Sequence, residues 1–210
     1  MRPRPHHRAD QHVRTSVSAA DTQTRSQASV SRGETPMPPS PSGNGSGPDG
    51  LNALPRPELV KRLLACLDVQ RWADEVADRR PFASTAEIYQ AADDAARELT
   101  REEIDSALAA HPRIGARVQG SDTSSSWSRS EQAGVDAGDA ALQEALREGN
   151  EEYERRFGHV YLVCASGRSG AELLEILRSR LGNDPEEELG IVAEELRKIA
   201  RLRLAKVVEG

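Results

Sequence analysis

Cysteine and aromatic residues are nearly missing from this chain, which has two Cys, two Trp, three Tyr and two Phe in 210 residues. Cys66 and Cys164 lie far apart in sequence and so build neither a disulfide framework nor a zinc cluster. No apolar run approaches the roughly 18 residues of a membrane-spanning helix. Met1-Arg2-Pro3-Arg4 leads into no apolar stretch of the kind that marks an export signal. A cytoplasmic protein with reduced thiols is expected, with no membrane partner. Dinucleotide fingerprints, Gly-x-Ser-x-Gly elbows and Cys–His nucleophile signatures are also missing. Ser166-Gly167-Arg168-Ser169-Gly170 is superficially like a phosphate-binding turn, yet it lacks the spacing of one and has no parallel sheet around it, so it reads as a helix-capping turn. His159 and Cys164 are five apart on an extended run and point to opposite faces, and no other cluster has metal-ligand spacing; no metal is expected.

Residues 1–50 contain no Leu, Ile, Phe, Tyr or Trp and hold seven of the twelve prolines. Such a segment buries too little apolar surface to offset its chain entropy, so 1–50 reads as a disordered Pro/Ser/Gly-rich tail and 51–210 as one domain. Charge divides the same way. The tail has six arginines against four acids, a formal +2, and the rest has 22 basic and 30 acidic residues, a formal −8. That acidic balance excludes nucleic acid as the partner of the domain, since phosphate binding needs a concentrated basic face.

What is present is helical punctuation. Pro57 to Leu67 carries apolar groups at helical spacing, and Trp72, Val76 and Ala77 fit a second short helix ending near Arg80-Pro81-Phe82. Capping-box spacing at Ser84-x-x-Glu87 and Thr100-x-x-Glu103 predicts helices over about 85–98 and 101–110. Residues 116–126 read as a polar loop, and Ser128-x-x-Glu131 as the next helix start. A long helix is expected over about 138–156, another from Ser169 to about Leu181, and a last one from Asp184. His159–Ala165 is the only β-like run; without a sheet to join, it is expected as a buried extended segment between helices. The predicted fold is all-α: a single-domain bundle of about seven to nine helices with that one extended segment.

Three side chains stand out. His111 sits where the 101–110 helix meets Pro112, on a corner that Gly115 lets turn freely. On the last helix, Leu189, Val192, Leu196, Ile199 and Val207 share an apolar arc of roughly 80° with Arg203 in its middle, whereas Arg197 and Arg201 point away. A charge on a core-facing stripe has to be paired or bound, so Arg203 is either a structural ion pair or an anchor inside a pocket. Glu131-Gln132, taken as opening a helix, would stand where unpaired N–H groups gather and favour an anionic ligand.

Taken in order, Arg80-Pro81-Phe82, Ala110-His111-Pro112-Arg113-Ile114-Gly115, Ser128-x-x-Glu131-Gln132-Ala133-Gly134, Asn150-x-x-Tyr153-x-x-Arg156-Phe157-Gly158, Arg180-Leu181-Gly182-Asn183-Asp184 and Glu195-Leu196-x-Lys198-Ile199-x-x-Leu202-Arg203-Leu204 resemble the 2-oxo-4-hydroxy-4-carboxy-5-ureidoimidazoline (OHCU) decarboxylases of urate degradation. The resemblance covers about 51–208. It implies an all-helical, cofactor-free, usually dimeric enzyme that converts OHCU to (S)-allantoin and CO2. It also implies His111, Glu131 and Arg203 as catalytic residues, Pro112, Ser128 and Gln132 as pocket contacts, and backbone groups near Val163 and Cys164 as part of the ligand-holding wall. Where family members often have Phe-Gly-Phe-Pro-Phe, this chain has Phe157-Gly158-His159-Val160-Tyr161, and Ser166 stands where many have Arg.

In OHCU the carboxylated carbon bears a hydroxyl and adjoins a ring C=N, so the substrate itself accepts the electron pair that CO2 leaves behind. The protein has to orient the carboxylate, move the hydroxyl proton and protonate the neighbouring carbon from one face. His111 coupled to Glu131 suits the proton transfers, with either taking the first proton; Arg203 and Gln132 suit the ureido and carbonyl groups. Two rivals remain: a non-catalytic helical binding module, and a decarboxylase or hydrolase of a related ureido compound.

Overall fold

In the computed structural model, the described residues are 46–135 and 138–210. Nearly all of the stretch read as a disordered tail therefore lies outside the described residues. Among those described there are nine helices and no strand: α1 Gly47–Ala53, α2 Arg56–Cys66, α3 Gln70–Asp78, α4 Thr85–Ala95, α5 Arg101–Ala109, α6 Thr123–Glu131, α7 Ala140–Phe157, α8 Gly170–Arg180 and α9 Pro185–Glu209. The all-α expectation holds.

Local chemistry sets most of the boundaries. Thr100 and Glu103 form a reciprocal capping box at α5, as do Ser169 and Glu172 at α8. At α4 the Ser84 side chain accepts from Glu87 N–H, but Glu87 takes the N–H of Ala83, not that of Ser84. Asp139 and Asp184 cap α7 and α9, and Gly158, at φ +77°, ends α7 in the left-handed region.

Two expectations need correcting. Among the described residues the first helix begins at Gly47, ahead of Leu51: α1 forms because Leu51 is buried and Asn52 exchanges two 2.9 Å hydrogen bonds with the Phe82 backbone. The helix read as starting near Ser128 starts instead at Thr123, inside the stretch read as loop. Asp122 is its cap, accepting from Ser125 N–H at 3.0 Å, and Ser128 and Glu131 occupy its last turn.

Helix α9 is the spine, packing against α1, α2, α4 and α5 around a large apolar cluster that includes Leu59, Leu63, Trp72, Ile88, Leu196 and Leu204. Trp72 buries its ring there and donates its indole N–H to the Ala92 carbonyl at 2.9 Å. A smaller cluster lies between α7 and α8, with Leu146, Tyr153, Leu173 and Leu177. The expected buried segment is present, running from Val160 to Ala165 without helix or strand. Val160, Leu162 and Cys164 pack toward the large cluster, while Tyr161, Val163 and Ala165 pack into the small one. That period of two is the signature of an extended chain, here dividing two cores.

Candidate active site

His111 closes the end of α5: its N–H reaches the Leu108 carbonyl at 3.0 Å, and Pro112 stops the helix. The ring Nδ1 lies 2.8 Å from the Ala107 carbonyl, which can only accept, so Nδ1 carries the proton and Nε2 carries the lone pair. Nε2 is buried and has no hydrogen-bond partner among the described residues. Burial, and next the positive charge of Arg203, hold the imidazole below its ordinary pKa of 6.5. His111 is therefore neutral at physiological pH, with an available lone pair.

Arg203 arrives from α9 and is 2% exposed. Its five N–H groups are all placed. Nε and one Nη2 proton form a bidentate pair with Glu131, both at 2.8 Å; the other Nη2 proton goes to Ser128 Oγ at 3.0 Å. Nη1 reaches Ser124 Oγ at 3.2 Å and the Ala65 carbonyl at 3.5 Å. Of the two readings open for an inward arginine, the ion pair is the one observed. Glu131 spends its carboxylate on Arg203 and makes no hydrogen bond to His111. Because Glu131 and Gln132 stand at the C-terminal end of α6, the unpaired N–H groups of a helix start are not beside them, which removes that reason for expecting an anion there.

These groups surround one narrow cavity of about 20 Å³. His111, Ser128, Glu131 and Gln132 supply its polar wall; Pro112, Val163 and Ile199 are among its apolar lining. It shares His111, Pro112 and Ser128 with a cleft of about 370 Å³ that reaches the surface beside exposed Gln119 and Asp122. Of the roomier grooves elsewhere, one of about 350 Å³ between Trp127 and Lys206 and one beside Arg113 and Arg147 hold none of the expected residues, and one beside Arg117 and Val135 holds Gln132 alone. Among the described residues no group of His, Cys, Asp and Glu is arranged to hold a metal ion, and no helix is long and apolar enough to cross a membrane.

Seven of the eight expected site residues thus meet around one point: His111, Pro112, Ser128, Glu131, Gln132, Val163 and, through its fork onto Glu131 and Ser128, Arg203. Gln132 Oε1 already accepts the N–H of Gly115 at 3.0 Å, so its amide NH2 is the end left for other contacts. Cys164 is the exception: its N–H goes to Glu195 Oε2 at 2.7 Å and its side chain packs away against the large cluster. Burial raises the thiols of Cys164 and Cys66, the latter to about 12, so neither is a nucleophile at neutral pH. Ser124 and Ile199 were missed. Ile199 was detectable, because it lies four residues before Arg203 on the same helical face; Ser124 was hidden in the supposed loop.

The chain is 36% identical over 146 residues to an Arabidopsis thaliana protein named uric acid degradation bifunctional protein TTL, a match covering 68% of this chain but 45% of the relative, so it spans less than half of that protein's length. It is 33% identical over 135 residues to a 2-oxo-4-hydroxy-4-carboxy-5-ureidoimidazoline decarboxylase of Amia calva, covering 62% of this chain and 75% of that one. A crystal structure of OHCU decarboxylase in the presence of (S)-allantoin superposes with a TM-score of 0.60 at 30% identity, covering 70% of this chain and 96% of the other. The OHCU decarboxylase family model matches residues 52–205, most of the chain and every residue of the cavity, and the chain belongs to the OHCU decarboxylase family.

Proposed function

We propose that this protein decarboxylates OHCU to (S)-allantoin and CO2 without a cofactor, as a cytoplasmic homodimer in urate degradation, with His111, Glu131 and Arg203 as its catalytic residues. The observation that carries the reading is the buried, unpartnered Nε2 of neutral His111, beside the buried Arg203–Glu131 pair, in a chain of this family.

The chemistry follows from those groups. The C–CO2 bond breaks, its electron pair forms a double bond to the neighbouring ring carbon, and the C=N π pair moves onto nitrogen, which takes a proton from water and ends as N–H. His111 Nε2 takes the hydroxyl proton as that oxygen becomes a carbonyl, and the imidazolium returns the proton to the neighbouring carbon from one face, which fixes the S configuration. Of the two candidates for the first proton, His111 is favoured because its lone pair is free, whereas the Glu131 carboxylate is engaged by the Arg203 fork. Ser128, Glu131 and the Gln132 amide would orient the carboxylate and ureido groups, with Arg203 holding Glu131 and Ser128 in place and the backbone at Val163 completing the wall.

The test feeds freshly generated OHCU to the protein and follows the circular dichroism of the product. Accelerated loss of OHCU with optically active allantoin is expected. Unchanged spontaneous decay to racemic allantoin would return the binding module, or a related ureido substrate, as the better reading.

A further inference from the structure

The segment Val160–Ala165 crosses the core without a neighbouring strand, and what it has instead is two charged side chains. Arg180 Nη1 donates to the Leu162 carbonyl at 2.7 Å, and Glu195 Oε2 accepts from Cys164 N–H at 2.7 Å. Arg180 is 6% exposed and Glu195 7%. In an extended chain the N–H and C=O of one residue share an edge, and those of the next residue share the opposite edge. Leu162 and Cys164 are two apart, so Arg180 and Glu195 hold the same edge. The other edge belongs to Val163, whose N–H and C=O make no hydrogen bond with any described residue and which lines the cavity with His111 and Glu131. A donor and an acceptor left unbonded inside a core cost free energy. Their pairing matches the adjacent N–H and C=O of a ureido edge.

We propose that Arg180 and Glu195 are positioning residues of the active site. They stand in for the strand the segment lacks and hold the backbone of Val163 open toward the substrate. The inference rests on the reading of this cavity as the decarboxylation site. Arg180 is itself fixed: its Nε donates to Glu188 Oε1 at 2.7 Å, and Glu188 also accepts from the Tyr153 hydroxyl and, at 2.7 Å, from Asn183 Nδ2. Glu195 has its second oxygen on Lys198 Nζ at 2.6 Å. Glu195, Ile199 and Arg203 follow one another at four-residue steps on α9. One rigid helix face therefore supplies a contact to the segment, a cavity wall and the guanidinium, and sets their spacing.

Glu195→Asp and Glu195→Gln separate reach from charge. Aspartate keeps the charge but draws the acceptor back by one methylene; glutamine keeps an acceptor in place without the charge. Glu195→Asp is expected to speed amide hydrogen exchange at Cys164 at least about tenfold and to lower kcat/KM for OHCU by about 10²-fold, the cost of an ångström-scale misplacement. Glu195→Gln is expected to stay within about threefold of wild type on both readouts, as an intact acceptor should. Arg180→Lys, which reaches the Leu162 carbonyl but no longer ties it to Glu188, tests the second contact and is expected to lose about tenfold. Faster exchange at Cys164 with a wild-type kcat/KM, an equal fall for the Gln and Asp variants, or wild-type rates in both Glu195→Asp and Arg180→Lys would overturn the proposal. Amide exchange reads the contact whatever the substrate is, and a wild-type protein that leaves OHCU decay unchanged would count against the proposed function alone.

Discussion

Replacing Glu131 by Gln removes one charge from a pair whose other member has nowhere to go. Arg203 is 2% exposed, and two of its five donors are aimed at the Glu131 carboxylate. In Glu131→Gln, one of the two acceptors becomes an NH2 donor facing a guanidinium donor, and the buried cation loses its counter-charge. Breaking a buried pair from one side costs about 3–5 kcal/mol. Ser128, Ser124 and the Ala65 carbonyl still solvate the guanidinium, so the lower end, about 3 kcal/mol, is expected. For a domain of about 160 residues that corresponds to a fall in Tm of about 6–12 °C.

Calorimetry on wild type, Glu131→Gln, Arg203→Met and the double variant gives the coupling directly. The double variant leaves no unpaired charge in the core, so it should be more stable than the sum of the single losses predicts, by about 2 kcal/mol or more. A Glu131→Gln protein that unfolds within about 1 °C of wild type would refute the reasoning, since it would mean that the guanidinium does not depend on that carboxylate. The result also sets the conditions for kinetics: rates for this variant belong well below its own Tm, where a slow turnover reports chemistry.

His111→Asn, assayed for OHCU loss and product chirality, should slow turnover by about 10²- to 10⁴-fold, the range for losing a general acid–base group; a near-wild-type rate of optically active product would remove His111 from the mechanism. Because burial and Arg203 keep His111 below 6.5, kcat/KM should stay level as pH falls to about 6.5 and decline only below it. An acid limb centred above 6.5 would contradict the neutral imidazole. The same shift fixes a sign for stability. Below 6.5 the unfolded chain protonates this histidine while the folded one resists, so stability falls as pH drops through that window, and His111→Gln should flatten this part of the Tm–pH curve. Gly134→Ala would place a Cβ 2.1 Å from the Arg168 carbonyl oxygen, beside the 3.1 Å hydrogen bond from Gly170 N–H to the Gly134 carbonyl. A loss of about 1–3 kcal/mol by thermal unfolding is expected, and an unchanged Tm would show that this contact gives way freely.

The helices that could be read from the sequence are those whose ends are decided within four residues. Thr100, Ser169 and Asp184 cap the helices their spacing predicts, because a side chain that bonds a nearby N–H does so whatever the rest of the fold is doing. Helix α6 was not readable in that way, since Asp122-x-x-Ser125 and Ser128-x-x-Glu131 both offer cap spacing and no local rule chooses between them. A distant residue decides: the Arg203 guanidinium holds both Ser128 and Glu131, and Asp122 is left to cap. Helix α1 escaped for a related reason, since Gly47-Pro48-Asp49-Gly50 has linker composition and its helix depends on Leu51 and Asn52 docking against remote partners.

Helical period places Arg203 inward, and the same period places two acids beside it. Glu188, Val192, Glu195, Ile199 and Arg203 all fall on one face of α9 at steps of three or four residues. Three charged groups on an apolar stripe are too costly to be incidental, and each has a specific partner: Glu188 takes Arg180, Glu195 takes the Cys164 N–H, and Arg203 takes Glu131. Reading an amphipathic helix for its apolar residues alone therefore discards its most informative positions. The two acids overlooked on that stripe lead to the extended segment and the arginine to the cavity, so a single helix face carries both the shape of the site and its charge.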